Sequence, residues 1–434
     1  MSSRRAPSAE RLRVEDILER LEAAFAGVQR KHVVVAVSGP SGRRYAAASC
    51  RHGVDREPGE WRFAAGCVTK LLTAALVLDA VEAGAVRLDD GAASLLGGAD
   101  ARSRVTVRHL LEHTHGIADP PVSRAPLRED GRIDAAALLA SVGDRTRWPA
   151  GALYSYSDVG PWLAAAIAER LWGAPFADLL RERLSLDLGA ATQPDGAPPL
   201  ACASRGGGVA LRVRDLIGFL ERALAGAAFQ GGRDDLTPRI TPLPGWSVAE
   251  RGIYLGWKYF GDGWFGHNSV VPSASLLVRL HPQSRLGLLI ASRDHPASLV
   301  AAKLFARSLP ELNNLVIPKP LDAEHAAALD LTRYCGTYGT GRWRLSIDLL
   351  GRTLVLRGEG FRAALVPAGG ELFFTRPPTQ GQPAYVQLLH GRPEGFRYLW
   401  DGQQLLDNLG VRDSLPGIAP DAGALAPRSG CGQR

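Results

Sequence analysis

Phe63-Ala64-Ala65-Gly66-Cys67-Val68-Thr69-Lys70 opens an apolar run that continues to Ala83, and the reading of this stretch decides the fold. Residues 67–83 are apolar around most of a helical circumference, broken only by charges such as Asp79 and Glu82, so they predict a buried helix. Gly84 is well placed to end it. Cys67 and Lys70 stand three residues apart, which at a helix start puts thiol and amine on one face, one turn from each other. The helix dipole and free N–H groups there favour a thiolate, and a neighbouring ammonium adds to the effect. Free cysteine and lysine side chains titrate near about 8.5 and about 10.4, so a thiol can hand its proton to such an amine before substrate arrives. A lone C-x-x-K is more often an inert buried cysteine beside a surface lysine. The rest of the chain has to decide.

Before this helix, His32 to Val37 is a β-branched run that predicts a strand, followed by the turn Gly39-Pro40-Ser41-Gly42 and a hairpin partner over Tyr45 to Ser49. Residues 13–29 carry apolar positions at helical spacing (Val14, Ile17, Leu18, Leu21, Phe25, Val28) and predict an amphipathic helix. After it, Leu163 to Leu171 and Val213 to Leu224 read as helices. Gly252 to Tyr259, Ser275 to Leu280 and Leu286 to Ser292 read as strands. Strands from both chain ends around a helical middle predict an α+β domain with one antiparallel sheet flanked by helices. Pro318-Lys319-Pro320 reads as a linker. Short runs at close spacing follow (Trp343 to Leu349, Thr353 to Leu356, Ala363 to Val366, Tyr385 to Leu389, Phe396 to Leu399) and predict a small antiparallel β-barrel.

Bulk composition narrows the function classes. The chain has 434 residues, 46% hydrophobic and 22% charged, which suits one large domain plus a small one. The net charge of +7 is carried mainly by scattered arginines, without a basic run interleaved with aromatics, so nucleic acid is not an expected partner. A mildly basic surface suits an acidic partner such as a carrier domain. The five cysteines (Cys50, Cys67, Cys202, Cys335, Cys431) are odd in number and lack paired or metal-ligand spacing. Residues 1–20 lack the apolar core of a signal peptide, and no run is long and apolar enough to span a bilayer. The expectation is a cytoplasmic protein with no membrane span, metal or cofactor.

The opening stretch and four further segments bear on the chemistry. Pro149-Ala150-Gly151-Ala152-Leu153-Tyr154-Ser155-Tyr156-Ser157-Asp158 resembles the P-x-G…Y-S-N loop of serine β-lactamases, penicillin-binding proteins and related esterases. Phe63 to Lys70 resembles their S-x-x-K helix start, and Leu110-Leu111-Glu112-His113-Thr114-His115-Gly116 their L-L-x-H-T-S-G segment. Gly206-Gly207-Gly208 with Arg214-Asp215-Leu216 resembles their G-G…D-L element, and Gly266-His267-Asn268-Ser269 falls where they carry G-H-T-G or K-T-G. Order and spacing agree over residues 30–310. The segment from Tyr334 to Tyr338 is similar to the start of the lipocalin-like domain found in many members. The resemblance implies a tail over 1–12, a catalytic domain over 13–316, a lipocalin-like β domain over 321–412 and a disordered tail over 413–434.

It also implies roles. Cys67 stands for the acylated nucleophile, Lys70 and Tyr156 for proton carriers, and the backbone N–H groups of Cys67 and Val270 for the oxyanion hole. His267 lines the pocket, with Asp158, Asn268 and Ser269 on the substrate side, while His113 and His115 are expected to be structural. Three residues depart from the pattern: Cys67 for Ser, Asp158 for Asn, and Asn268-Ser269 for Thr-Gly. A cysteine makes a thioester, and exchange between thioesters is nearly balanced. Asp158 cannot donate amide hydrogen bonds but can accept them from Lys70. The combination predicts an acyl-enzyme-forming acyltransferase or peptide cyclase/thioesterase of specialised metabolism. It would take a small-molecule or peptidyl thioester, free or on a carrier protein, as donor and an amine or alcohol as acceptor. The penicillin-binding-protein-type thioesterases and statin-type acyltransferases are the nearest analogues. An esterase, amidase or peptidase using water, or an inactive binding protein of the same fold, are the alternatives.

Overall fold

The computed structural model describes residues 32–40, 42–49, 57–97, 104–119, 125–142, 149–190, 209–230, 241–242, 252–271, 274–293, 321–340, 343–358, 360–369, 372–376, 385–390, 397–400 and 405–408, with single positions 19, 23, 297 and 300. The helix expected over 13–29, the Gly206–Gly208 run and the expected 413–434 tail lie outside these residues. The chain divides into two compact units. The larger holds the described residues up to Pro318, and the smaller begins at Lys319.

In the larger unit, strands are numbered in chain order: β1 (His32–Gly39), β2 (Gly42–Ser49), β3 (Arg62–Ala64), β4 (Gly189–Ala190), β5 (Val209–Arg212), β6 (Thr241–Pro242), β7 (Gly252–Tyr254), β8 (Trp257–Gly261), β9 (Trp264–Val271), β10 (Ala274–His281) and β11 (Leu286–Ser292). The helices that matter here are α1 (Thr69–Glu82), α2 (Val107–Leu111), α3 (Val159–Trp172) and α4 (Val213–Ala225). Eight strands form one antiparallel sheet in the order β2-β1-β11-β10-β9-β8-β7-β6, so strands from both ends of the unit meet at β1 and β11. A separate three-stranded sheet, β3-β5-β4, carries the approach to α1.

The β-branched run in β1 follows from burial of both faces. Val34 and Ala36 join the main core with α1, α3 and α4, whereas Val33, Val35 and Val37 join a second cluster with Trp264, Leu277 and Ile290. A strand covered on both sides has no polar face to alternate with, so its sequence reads as continuous hydrocarbon. Helix α1 is buried along Leu71, Leu72, Ala74, Leu76, Val77, Ala80 and Val81. It ends as Gly84 (φ 73°) donates to the Val81 carbonyl and Ala85 to the Ala80 carbonyl, at 3.0 and 2.9 Å. These are the paired bonds of a Schellman end, which needs a left-handed residue where the glycine stands.

Two expectations needed correction. Gly252 to Tyr259 is not one strand but the hairpin β7–β8, turning at Leu255 (φ 46°) and Gly256 (φ 92°) with Tyr254 opposite Trp257. The α-helix proper begins at Thr69, and Cys67 sits in a preceding 3-10 turn, Gly66–Val68.

In the smaller unit, eight strands follow: β12 (Gly336–Thr340), β13 (Trp343–Leu350), β14 (Thr353–Gly358), β15 (Phe361–Gly369), β16 (Leu372–Arg376), β17 (Tyr385–His390), β18 (Arg397–Trp400) and β19 (Leu405–Asn408). Each pairs antiparallel with the next, and Tyr338 and Gly339 of β12 pair back with Asn408 and Asp407 of β19. Tyr338, Leu345, Ile347, Leu354, Leu356, Leu365 and Phe373 fill the interior. The five runs read from sequence fall on β13, β14, β15, β17 and β18; β12, β16 and β19 went unread.

Candidate active site

Cys67 is delivered by β3. Phe63 pairs with Leu211 of β5, and the Ala65 N–H donates to the Val209 carbonyl at 2.8 Å, fixing the chain up to Gly66. Gly66 then turns with φ 49°, and a Cβ there would lie 2.2 Å from Ser269 Oγ and 2.8 Å from Val271 Cγ1. Only glycine accepts both the left-handed angle and that contact. The turn sets Cys67 at the mouth of α1 as a half-buried, free cysteine, while Lys70 one turn on is buried.

Tyr156 arrives on a loop that α2 and the residues after it hold in place. Gly151 N–H donates to the Thr114 carbonyl and Ser155 N–H to the His113 carbonyl, at 2.8 and 2.9 Å. Ser157 N–H donates to His113 Nδ1 at 3.2 Å. His115 Nδ1 accepts from Ile117 N–H at 3.0 Å, which leaves its Nε2–H to donate to Ser157 Oγ at 2.7 Å. Both histidines are fully buried and held uncharged. Burial drives His115 down to about 3 and, aided by the Lys70 ammonium, His113 well below its ordinary value. They brace the loop. Asp119, which sequence reading passed over, accepts from Asp158 N–H and Val159 N–H at 2.9 and 3.1 Å and so satisfies the start of α3.

These supports bring the candidates together. Lys70 Nζ donates to Asp158 Oδ1 at 2.9 Å, with side chains 2% and 0% exposed, so the pair is sealed from water. Lys70 Nζ also lies 4.8 Å from the centre of the Tyr156 ring, and Lys258 Nζ 4.9 Å from it. The Tyr156 hydroxyl is buried and makes no well-formed hydrogen bond. Burial, then the adjacent Cys67 sulfur and Asp158, hold this phenol well above its ordinary pKa, so it is a protonated group aimed at the sulfur. His267 stands 5.9 Å from the Tyr156 ring, centre to centre. Its Nδ1 lies 2.7 Å from the Asn268 carbonyl and donates to it. Burial, followed by the Lys258 ammonium, keeps it uncharged. Lys258 was missed in the sequence; its signal was an ionisable residue inside the apolar strand Trp257-Lys258-Tyr259-Phe260.

Strand β9 closes the site. Its pairing with β8 stops at Gly266, so among the described residues 267–271 have β10 alone as a partner in the sheet. Ser269 is buried, and its Oγ accepts from the Cys67 N–H at 3.1 Å, the same N–H expected in the oxyanion hole. Asn268, expected on the substrate side, points away instead. Alternation along the strand puts it on the opposite face from Ser269, where its Oδ1 accepts from Arg279 Nη1 at 2.8 Å. Val270 carries its side chain outward, 72% exposed. Among the described residues no three His, Cys, Asp or Glu side chains gather as a metal site, and no helix is long and apolar enough to cross a membrane.

The chain is similar to known proteins. A family profile described as "Beta-lactamase" matches residues 12–309. The chain is 25% identical over 323 residues to "Penicillin-binding protein 4" of Amycolatopsis lactamdurans, covering 64% of this chain and 84% of that one. Among solved structures, SurE with D-Leu is 25% identical, with a TM-score of 0.70 over 92% of this chain and 99% of that one. A D-amino acid amidase from Ochrobactrum anthropi SV3 superimposes with a TM-score of 0.52 at 17% identity, over 69% of this chain and 96% of that one, a likeness of fold alone. The match spans the main sheet, α1 and the Tyr156 loop, and on it the chain belongs to the beta-lactamase family.

Proposed function

We propose that the chain is an acyl-transfer enzyme that holds its acyl group on Cys67. The observation that carries this reading is the Tyr156 hydroxyl, buried, protonated and without a well-formed hydrogen bond, beside the half-buried Cys67. In the proposed cycle the Cys67 thiolate attacks the carbonyl carbon of a donor thioester. The C–S bond to the leaving thiol breaks as Tyr156 gives that sulfur its proton. The acceptor amine or alcohol then attacks the Cys67 thioester. Tyrosinate takes the acceptor's proton, and the Cys67 thiolate departs. A phenol whose pKa is raised is a reluctant acid but a strong base once ionised, which favours the second half of the cycle. Lys70, one turn on from Cys67 and tied to Asp158, acts in this cycle as a counter-charge to the sulfur rather than as a base.

The donor proposed is a small-molecule or peptidyl thioester. SurE, solved with D-Leu, supports an aminoacyl or peptidyl group over a simple fatty acyl one. The strands from Gly336 to Asn408 are proposed to be a lipocalin-like barrel. The test is intact-mass measurement after mixing the protein with a model aminoacyl thioester. An adduct on wild type that is absent from Cys67→Ala is the expected result; no adduct, or an equal one on the variant, refutes the proposal. Because Cys67 is not fully buried, hydrolysis of the thioester by water is the competing reading. Product analysis with and without added amine separates amide from free acid.

A further inference from the structure

We propose that Ser269 is a built-in occupant of the oxyanion position: its hydroxyl takes the Cys67 N–H in the resting protein and must swing aside before a substrate carbonyl is activated. This rests on the reading that Cys67 is acylated. An oxyanion hole works only if its donors are aimed at where charge develops. Here the Cys67 N–H is aimed at Ser269 Oγ, 3.1 Å away. The hydroxyl is wedged, not incidental. Ser269 is 2% exposed, and its Oγ backs onto Gly66 so closely that even a methyl group there would collide with it.

The main chain at Ser269 is also fixed. Its carbonyl accepts from Ser275 Oγ at 3.2 Å, and that hydroxyl accepts in turn from Ala297 N–H at 2.9 Å. With the backbone pinned, the motion available is rotation about the Ser269 Cα–Cβ bond. Its cost is one hydrogen bond, and it falls on every carbonyl that enters. The consequence is a brake specific to chemistry at a carbonyl. Attack of the Cys67 sulfur on a saturated carbon, as in alkylation, develops no oxyanion and does not meet the brake.

The test follows acylation of wild type, Ser269→Ala and Ser269→Gly by a model aminoacyl thioester, by intact mass, beside alkylation of the same proteins by iodoacetamide. Loss of an ordinary net hydrogen bond corresponds to roughly a two- to tenfold rate effect, and an uncovered oxyanion donor to about a hundredfold. The expected result is acylation faster by about ten- to a hundredfold in both variants, with alkylation within about twofold of wild type. Acylation that is equal or slower in both variants overturns the brake, as does a parallel change in alkylation, which would place the effect on the sulfur. If wild type acylates and the variants gain nothing, only the brake fails. If all three alkylate and none acylates, the acyl-enzyme reading fails with it. Using both Ala and Gly keeps the test standing should one of them fold poorly.

Discussion

Lowering the pH from 7.5 to 5.5 is expected to cost this fold several kcal/mol through three imidazoles. His113, His115 and His267 are fully buried and uncharged, His115 titrating at about 3 and the other two well below the ordinary value. Burial is the first cause for each. The cations around them (Lys70 and Lys258 near His113 and His267) push the same way. In the unfolded chain each imidazole takes a proton near about pH 6.5. Below that pH the unfolded state binds more protons than the folded one, so stability is complete above it and falls as the pH drops. At pH 5.5 each group contributes a loss of about 1.4 kcal/mol, and the three together about 4 kcal/mol. Asp79 and Glu169, raised by burial, take protons earlier in the folded state and offset part of this. Urea unfolding at the two pH values reads the difference, provided the m-value stays constant. His115→Gln isolates one contribution: it should be less stable at pH 7.5, yet lose about 1.4 kcal/mol less than wild type on acidification. A midpoint that is flat or rising on acidification, or a variant with the wild-type pH dependence, refutes the reasoning.

Asp158→Ala leaves the Lys70 ammonium buried without its carboxylate and should destabilise the protein by about 3–5 kcal/mol, while removing both charges together should cost less than the two single changes summed; a thermodynamic cycle from urea melts decides. Tyr156→Phe should slow acyl transfer by about 10²–10⁴ in single-turnover measurements yet leave iodoacetamide alkylation of Cys67 near wild type, and an equal fall in both rates would show that the ring only supports the packing. Gly66→Ala forces a Cβ into the left-handed region and onto Ser269, so thermal unfolding should reveal a loss of about 1–3 kcal/mol; an unchanged melting temperature would mean the turn relaxes freely.

The sequence announced the elements whose pattern is local. The β-branched run of β1, the long apolar α1 with its terminal glycine, and four of the five quoted motifs lie in contiguous residues. What it hid depends on partners far along the chain. The β7–β8 hairpin was read as one strand because Leu255 takes the turn, where Asn or Asp would have signalled it. Asn268 looked like a substrate contact because motif position says nothing of which face a strand residue occupies, and Arg279, eleven residues away, decides that. Lys258 carries no motif at all, yet the pairing of β8 with β9 brings it beside Tyr156. The Lys70–Asp158 contact was anticipated from charge chemistry alone. That Ser269 would sit on the Cys67 N–H could not be, since it needs the approach of β9 to the turn at Gly66.

The two halves of the reacting pair are anchored in mechanically different ground. The sulfur rides at the head of a helix packed through the centre of the main core, whereas the phenol is carried by a loop clamped through two imidazoles and a serine. Both imidazoles stay uncharged until well below the pH at which the unfolded chain takes its protons, so the clamp cannot loosen ahead of the fold. Acid should therefore silence chemistry and scaffold together, with the transfer rate and the circular dichroism falling over the same pH range.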